Sequence, residues 1–297
     1  MIKRGRTAFV VSFLAPAAIL YGLFVCWPVL QAFAISLFRW NGMSGDKRFV
    51  GLDNYRQLAA DPVVLPTVAH NVLILVVGGA AILVGALIVA HCLQGKGRAI
   101  SVLRGTFLLP QIMSLVIVSV MWMFVYMPRS GLLDGVLNAL HLGRLSIDWL
   151  GKGSSALWAV TAVFVWYALG FYIMLLSAGI RGIPDEVVEA AKLDGAGGFK
   201  RFRKITLPML WSIMRVSVVY LVISAMNIFA LVQLLTMGGP HRATEVTLTY
   251  LYEQGFKNWD FGYATVLACV NFVLVMALSW IVLAAFGRDP QEARPSR

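Results

Sequence analysis

The sequence predicts an all-α polytopic membrane protein with six transmembrane helices and one large cytoplasmic loop. Of its 297 residues, 59% are hydrophobic and only 13% are charged, and the mean hydropathy is +0.78. This composition is far from that of a soluble domain. Six apolar runs reach the ~20 residues that cross a bilayer. Basic residues are distributed unequally between the runs, as in membrane proteins of fixed orientation.

The predicted spans divide the chain into one membrane domain and two short ends. The spans cover residues 9–37, 67–91, 105–127, 156–180, 209–236 and 262–286. We therefore assign residues 1–8 to an N-terminal segment, 9–286 to a single transmembrane domain and 287–297 to a tail. Any single run could be a buried core helix, but six runs of this length favour the membrane.

Both termini are predicted to be cytoplasmic, because cytoplasmic loops retain Lys and Arg. With this orientation fifteen basic residues lie inside and nine outside, while eight of the fourteen acidic residues lie outside. The net charge of +11 thus reflects topology and gives no reason to expect a nucleic-acid partner. The inner basic residues are Lys3, Arg4, Arg6, Lys96, Arg98, Arg104, Arg181, Lys192, Lys200, Arg201, Arg203, Lys204, Arg288, Arg294 and Arg297. The only ionised residue within a span is Arg215, which we interpret as snorkelling to the inner surface.

The loop at residues 181–208 is predicted to form two short helices around a glycine corner. Pro184 suits a first helical turn, and the following Asp185 and Glu186 complement the positive end of the helix dipole. Gly195 stands where a helix C-terminus needs a left-handed residue. A second helix then runs through Phe199, Phe202 and Ile205, and we expect Pro208 to stop it. An amphipathic connector lying on the inner leaflet is the alternative interpretation.

The same loop carries a recognisable motif. Its residues Glu189, Ala190, Ala191, Asp194, Gly195, Ile205, Leu207 and Pro208 resemble the EAA loop. This loop is the signature with which membrane subunits of ATP-binding-cassette (ABC) importers engage their ATPase partners. The resemblance implies that Glu189, Ala190, Ala191, Asp194, Gly195, Phe202, Leu207 and Pro208 form an ATPase-coupling surface.

Further motifs resemble carbohydrate-type permeases of that family, of the maltose and glycerol-phosphate kind. They are Phe49, Gly51, Leu52, Asn54 and Tyr55; Leu109, Pro110 and Trp122; and Thr236, Gly238, Gly239, Pro240, Thr244, Tyr250, Tyr252, Phe256, Gly262, Tyr263 and Ala264. Taken alone, Gly238-Gly239-Pro240 is a tight turn at a membrane edge. The resemblance implies a bacterial or archaeal inner-membrane location. It also implies as partners a second permease, an ATPase dimer and an extracytoplasmic substrate-binding protein.

The sequence lacks the motifs of nucleotide-binding, metal-binding and catalytic sites. There is no GxxxxGK[ST] motif, and Gly151-Lys152-Gly153 lacks its first glycine. We therefore expect ATP and Mg²⁺ to be bound by a separate subunit and predict no cofactor in this chain. The three cysteines, Cys26, Cys92 and Cys269, are odd in number and lie in or beside apolar runs. We interpret them as small apolar residues and not as a disulfide or a metal site. The four histidines lack ligand spacing, so we predict neither a metal site nor a catalytic site.

The candidate substrate path consists of polar and aromatic residues within the spans. Phe164, Tyr167 and Phe171 recur at i, i+3 and i+7 of the fourth span. Ser224, Asn227 and Gln233 in the fifth span and Asn271 in the sixth are polar groups that would be costly to leave unpaired. Helix packing and interhelical hydrogen bonding are the alternatives for each of them. The shortage of charge within the spans favours a neutral substrate over a phosphorylated one.

The sequence thus predicts a permease subunit of an ATP-driven sugar importer that works by alternating access. It predicts a transport subunit and not an enzyme. An importer permease for glycerol phosphate or another polar solute remains an alternative. A secondary transporter or channel is the alternative from a different class, although such proteins generally carry ionised residues within their spans.

Overall fold

The computed structural model describes residues 2–43, 45–95 and 97–287, with side chains from residue 9 onward. The predicted tail after Gly287 lies outside the described residues. So do the side chains of Lys3, Arg4 and Arg6, and all of Lys96. Within the described residues the chain is predominantly helical, as predicted, and its two strands are only two residues long each.

The helices and strands follow one another in this order. The helices are α1 (Ile2–Tyr21, continued by the π-helical turn Gly22–Cys26 and by Trp27–Ile35), α2 (Asp53–Ala60), α3 (Val64–Cys92), α4 (Arg98–Ile112), α5 (Leu115–Val125), α6 (Leu132–Ala139), α7 (Gly153–Arg181), α8 (Asp185–Leu193), α9 (Gly198–Met209), α10 (Trp211–Met226), α11 (Ala230–Leu235), α12 (Thr247–Tyr252) and α13 (Phe261–Ala285). Two short strands, β1 (Phe38–Arg39) and β2 (Arg48–Phe49), pair antiparallel between α1 and α2.

Four of the predicted spans are single long helices, and two are bent. The apolar helices Phe9–Ile35, Val64–Cys92, Gly153–Arg181 and Phe261–Ala285 are each long enough to cross a membrane. The third predicted span is α4 plus α5, bent by 97°. The fifth begins with α10, which follows α9 of the 181–208 loop at a bend of 68°. The described chain therefore has four spanning helices, or six if each bent pair forms one span.

The fifth predicted span, 209–236, is not one continuous helix. The preceding helix α9 ends at Met209, one residue after Pro208, and α10 starts at Trp211. A π-helical turn precedes this proline, and the amide of Leu207 donates to the carbonyl of Phe202. Such wider turns accommodate breaks in the regular hydrogen-bond pattern. The helix α10 also ends early, at Met226, and residues 227–229 are not helical.

The chain divides into two units, and the larger comprises Leu65–Tyr250 together with the residues from Val273 onward. Its centre is α7, which packs against α3 and α4. A side chain at Gly170 would overlap the carbonyl oxygen of Phe107, so α4 and α7 approach at backbone distance. Small residues commonly permit such close helix contacts in membranes. The core around α7 includes Ile82 and Tyr172.

The smaller unit comprises the residues up to Val64 and Leu251–Phe272. The buried Asn54 amide of α2 donates to the backbone carbonyls of Ser36 and Phe38, at 2.8 and 3.0 Å, and so fixes α2 to the end of α1 and to β1. The Tyr263 hydroxyl donates to Asp61 over 2.6 Å. No residue in the apolar window of α1 is buried within this chain.

Candidate functional site

A cavity of about 310 Å³ adjoins α5, α7 and the non-helical residues that follow α10. This volume falls at the lower end of the ~300–1,000 Å³ typical of small-molecule sites. The structure brings four of the predicted path residues to its wall, two from α7 and two from the end of α10. The lining residues are Leu115, Phe164, Tyr167, Ser224, Asn227, Ile228, Phe229, Ala230 and Leu231.

The break after α10 builds one wall of this cavity. The helix ends where the backbone amide of Asn227 donates to the carbonyl of Ile223 over 3.1 Å. The side-chain Nδ2 of Asn227 donates to the same carbonyl over 2.8 Å. Phe229 leaves helical geometry, with φ −124° and ψ −65°. At this break the side chain of Asn227 is exposed. Irregular backbone at membrane depth is tolerated where it lines a cavity or is buried in protein.

Three of the predicted path residues lie elsewhere. Phe171 continues the aromatic stripe of α7 but packs against the ring of Tyr220, with centroids 5.1 Å apart. Gln233 is half-buried on α11 and does not line the cavity. Asn271 is buried in the smaller unit. The structure therefore does not bring these three residues to the cavity beside α10.

The 236–247 segment holds a polar cluster built on the predicted glycine-proline turn. The hydroxyls of Thr236 and Thr244 are 2.7 Å apart, and Thr244 also donates to the carbonyl of Gly239 over 2.8 Å. Glu245 is buried and lies 3.4 Å from the guanidinium of Arg242. The turn is thus one end of a hydrogen-bonded structure, which its sequence alone did not indicate.

Two residues of α3 that the sequence analysis did not single out bind this segment. His70 Nδ1 lies 2.7 Å from the backbone oxygen of Glu245. The fully buried Asn71 accepts hydrogen bonds from both the backbone amide and the hydroxyl of Thr247, each 3.0 Å long. Its Nδ2 donates to the carbonyl of Ala225 over 2.8 Å. The sequence signal for Asn71 is its amide within the apolar run 67–91, because a buried amide needs hydrogen-bond partners.

The 181–208 loop has the predicted corner. Pro184 immediately precedes α8, whose first turn holds Asp185 and Glu186. Gly195 follows α8 with a φ of +68°. The amide of Ala196 donates to the carbonyl of Ala191 over 2.9 Å, which is the closing bond of a Schellman motif. The chain then enters α9 at Gly198.

The exposed surface of this loop is partly apolar. Glu189, Ala190, Asp194 and Gly195 are exposed, Ala191 is buried, and Phe202, Leu207 and Pro208 are half-buried. The sequence analysis did not include two large apolar side chains in the coupling surface. They are Leu193, which is 90% exposed, and Phe199, which is 78% exposed. The ring of Phe202 lies 4.9 Å from that of His91, and so connects the loop to the end of α3.

A second cavity, of about 420 Å³, lies in the segment between α5 and α7. Its wall includes Asp134, which is buried on α6 and accepts a hydrogen bond from the backbone amide of Arg129 over 2.7 Å. The Ser146 hydroxyl and this Arg129 amide hold the pKa of the Asp134 carboxyl below its usual range. Their favourable interaction with the ionised carboxylate indicates that Asp134 anchors this segment.

The comparisons with known proteins all indicate the same family. The profile described as "Binding-protein-dependent transport system inner membrane component" matches residues 63–287. The chain is 36% identical to the probable ABC transporter permease protein YurN of Bacillus subtilis, with 94% of this chain and 96% of YurN covered. It is 34% identical to the diacetylchitobiose uptake system permease protein NgcF of Streptomyces coelicolor, over 98% of this chain and 88% of NgcF. The corresponding values for the trehalose/maltose permease MalF of Thermococcus litoralis are 33%, 90% and 90%.

Solved structures share the fold. A chain of a bacterial ABC transporter involved in the import of the acidic polysaccharide alginate matches with a TM-score of 0.81 and 18% identity. This match covers 96% of the present chain and 97% of the other. A chain of the alginate transporter in complex with an alginate pentasaccharide-bound periplasmic protein gives a TM-score of 0.78, at 19% identity and with 94% and 93% covered.

Proposed function

The chain belongs to the family of binding-protein-dependent transport system inner membrane components, the permease subunits of ABC importers, and we propose that it forms half of the translocation pathway of an ATP-driven sugar importer. It is a multi-pass membrane protein and a transport subunit, not an enzyme. One observation carries the proposal. The matched residues 63–287 include an exposed helix-glycine-helix loop, in a sequence without an ATP-binding motif of its own.

The 181–208 loop docks a separate ATPase subunit, which binds ATP and Mg²⁺. Leu193 and Phe199 supply large apolar side chains of the kind that anchor interfaces when they enter a pocket on the partner. The contact of Phe202 with His91 and the continuation of α9 into α10 connect the loop to the membrane helices. Closure of an ATPase dimer would then move the loop and open the pathway outward.

The cargo is a sugar. None of the nine residues that line the cavity beside α10 is charged, so the cavity suits a neutral solute better than a phosphorylated one. Phe164 and Tyr167 offer ring faces to the apolar face of a sugar ring, while Ser224 and Asn227 offer hydrogen bonds to hydroxyls. The relatives named for diacetylchitobiose and for trehalose and maltose support the same class.

Besides the ATPase, the importer needs two further components. A second, related permease completes the pathway, and the unburied α1 leaves an apolar surface for this partner and for lipid. An external binding protein delivers the sugar, as the solved alginate transporter in complex with its periplasmic protein suggests. With both termini cytoplasmic, the 181–208 loop faces the ATPase and the 236–247 segment faces the binding protein.

Transport assays with a disaccharide panel test this function. The complex is purified through this chain, reconstituted with its binding protein and supplied with maltose, trehalose or diacetylchitobiose. We expect an ATPase and a second permease to co-purify, and at least one disaccharide to stimulate ATP hydrolysis. Stimulation by glycerol phosphate but by none of the sugars would contradict the proposed cargo.

A matched pair of variants tests the cavity. Asn227→Leu removes an exposed amide from the cavity wall, and Gln233→Leu makes the same change away from it. A hydrogen bond contributes about 1 kcal/mol, so we expect Asn227→Leu to raise the KM for the transported disaccharide about fivefold. Gln233→Leu should leave it unchanged. Equal KM values for the two variants would remove Asn227 from the substrate path.

A further inference from the structure

Asn71 occupies an unusual position, because its fully buried side chain connects α3 to two segments that are distant in sequence. Its amide donates to Ala225 at the end of α10 and accepts two hydrogen bonds from Thr247 at the start of α12. These partners lie 154 and 176 residues further along the chain. A buried amide with one donor and two acceptor interactions satisfied has a fixed orientation.

The bond to Ala225 falls at the break that builds the cavity. The last four carbonyls of a helix have no intrahelical partner, and Ala225 lies among them because α10 ends at Met226. At membrane depth, an unsatisfied backbone group is strongly destabilising because no water is available to bond it. Asn71 donates to this carbonyl from a neighbouring helix, and so favours a chain that leaves the helix here over one that continues it.

The bonds to Thr247 keep the Asn71 amide in place. The hydroxyl of Thr247 donates to Oδ1 of Asn71, and so does the Thr247 backbone amide, which leaves Nδ2 directed at Ala225. The adjacent contact of His70 with the carbonyl of Glu245 holds the same stretch of the 236–247 segment to α3. The 236–247 segment and the break are therefore fixed through neighbouring residues of one helix.

We propose that Asn71 is a positioning residue for the substrate cavity. It holds the break after Met226 in the conformation that presents Asn227 and Phe229 at the cavity wall. It lines no part of the cavity itself and acts through the backbone of α10. The inference rests on the proposed function in so far as the cavity takes a sugar.

Two variants and a control test this role in the complete complex in lipid nanodiscs. Asn71→Leu removes all three hydrogen bonds while keeping a side chain of similar size. Thr247→Val removes only the bond from the hydroxyl and keeps the shape of the side chain. Ser217→Ala is the control, because within the described part of the chain this fully buried hydroxyl on α10 bonds only to the carbonyl of Ile213 in its own helix. The readouts are amide hydrogen exchange at residues 227–230, the KM and kcat for the transported disaccharide, and ATP hydrolysis without substrate.

Asn71→Leu should raise exchange at residues 227–230 and KM by about tenfold each, while substrate-free ATP hydrolysis changes less than twofold. Thr247→Val should raise both about twofold, and Ser217→Ala should change neither. Unchanged exchange, or raised exchange with wild-type KM, overturns the proposal. If Asn71→Leu does not assemble, the same readouts on Thr247→Val decide.

The outcomes also separate this inference from the proposed function. If the wild-type complex transports a disaccharide and the variants keep its KM, only the role of Asn71 is refuted. If the wild-type complex transports no sugar, the proposed function fails, and exchange at residues 227–230 alone decides whether Asn71 holds the break.

Discussion

Phe199 should contribute a large part of the affinity for the ATPase, and Phe199→Ala measures that part. Full burial of a phenylalanine side chain contributes about 1.5–3 kcal/mol. Phe199 is 78% exposed in the isolated chain, so most of this free energy is still available on docking. We therefore expect a loss of about 2 kcal/mol, which corresponds to a roughly 30-fold rise in the Kd.

The substitution should not weaken the loop itself, because Phe199 lies in the first turn of α9 and alanine is the better helix former. The assay titrates purified ATPase subunit onto the permease pair in nanodiscs, and measures ATP-dependent uptake in proteoliposomes. Leu140→Ala is the control, since this side chain is 63% exposed but lies in the segment between α5 and α7. Wild-type ATPase affinity in Phe199→Ala would refute the assignment of Phe199 to the interface.

Three other predictions follow from the geometry. Gly195→Ala places a side chain at a φ of +68°, which costs about 1–2 kcal/mol; exchange at residues 184–204 should rise and ATPase binding should weaken about tenfold, less so for Gly195→Asn. Gly170→Ala should lower the Tm of the complex, because its new Cβ would overlap the carbonyl of Phe107 and overpacking costs about 1–3 kcal/mol; Gly105→Ala, on α4 but in open space, should not lower it. The pKa of Asp134 is lowered in the folded state, so its stabilisation is complete above the ordinary carboxyl pKa and is lost as the pH falls through the lowered value. Exchange at residues 127–152, corrected for intrinsic rate, should rise below about pH 4, and Asp134→Asn should show the raised exchange already at neutral pH; a flat wild-type profile would contradict the anchoring role.

Hydropathy predicted the helical architecture well, because lipid imposes a simple requirement on length and polarity. The turn at Gly195 was also predictable, since the requirement for a left-handed residue is local. The breaks were not. Pro110 and Pro208 lie near the two bends, but the helices continue for one or two residues beyond each proline, so the prolines alone do not mark where the chain turns.

The cavity was predicted in part. Phe164 and Tyr167 share a face of α7, and periodicity detects such faces. Periodicity could not show that Phe171, on the same face, lies outside the cavity and packs against the ring of Tyr220. The role of Asn71 depends on partners more than 150 residues away, and a single sequence does not indicate which buried amides meet.

The most direct test of the central claim is disaccharide uptake into proteoliposomes that contain the complete complex, with the binding protein on the outside. The only variable is the energy source: ATP enclosed on the loop side, or an imposed proton or sodium gradient without ATP. We predict uptake with ATP and none with either gradient alone. Gradient-driven uptake without ATP would contradict the account and favour a secondary transporter.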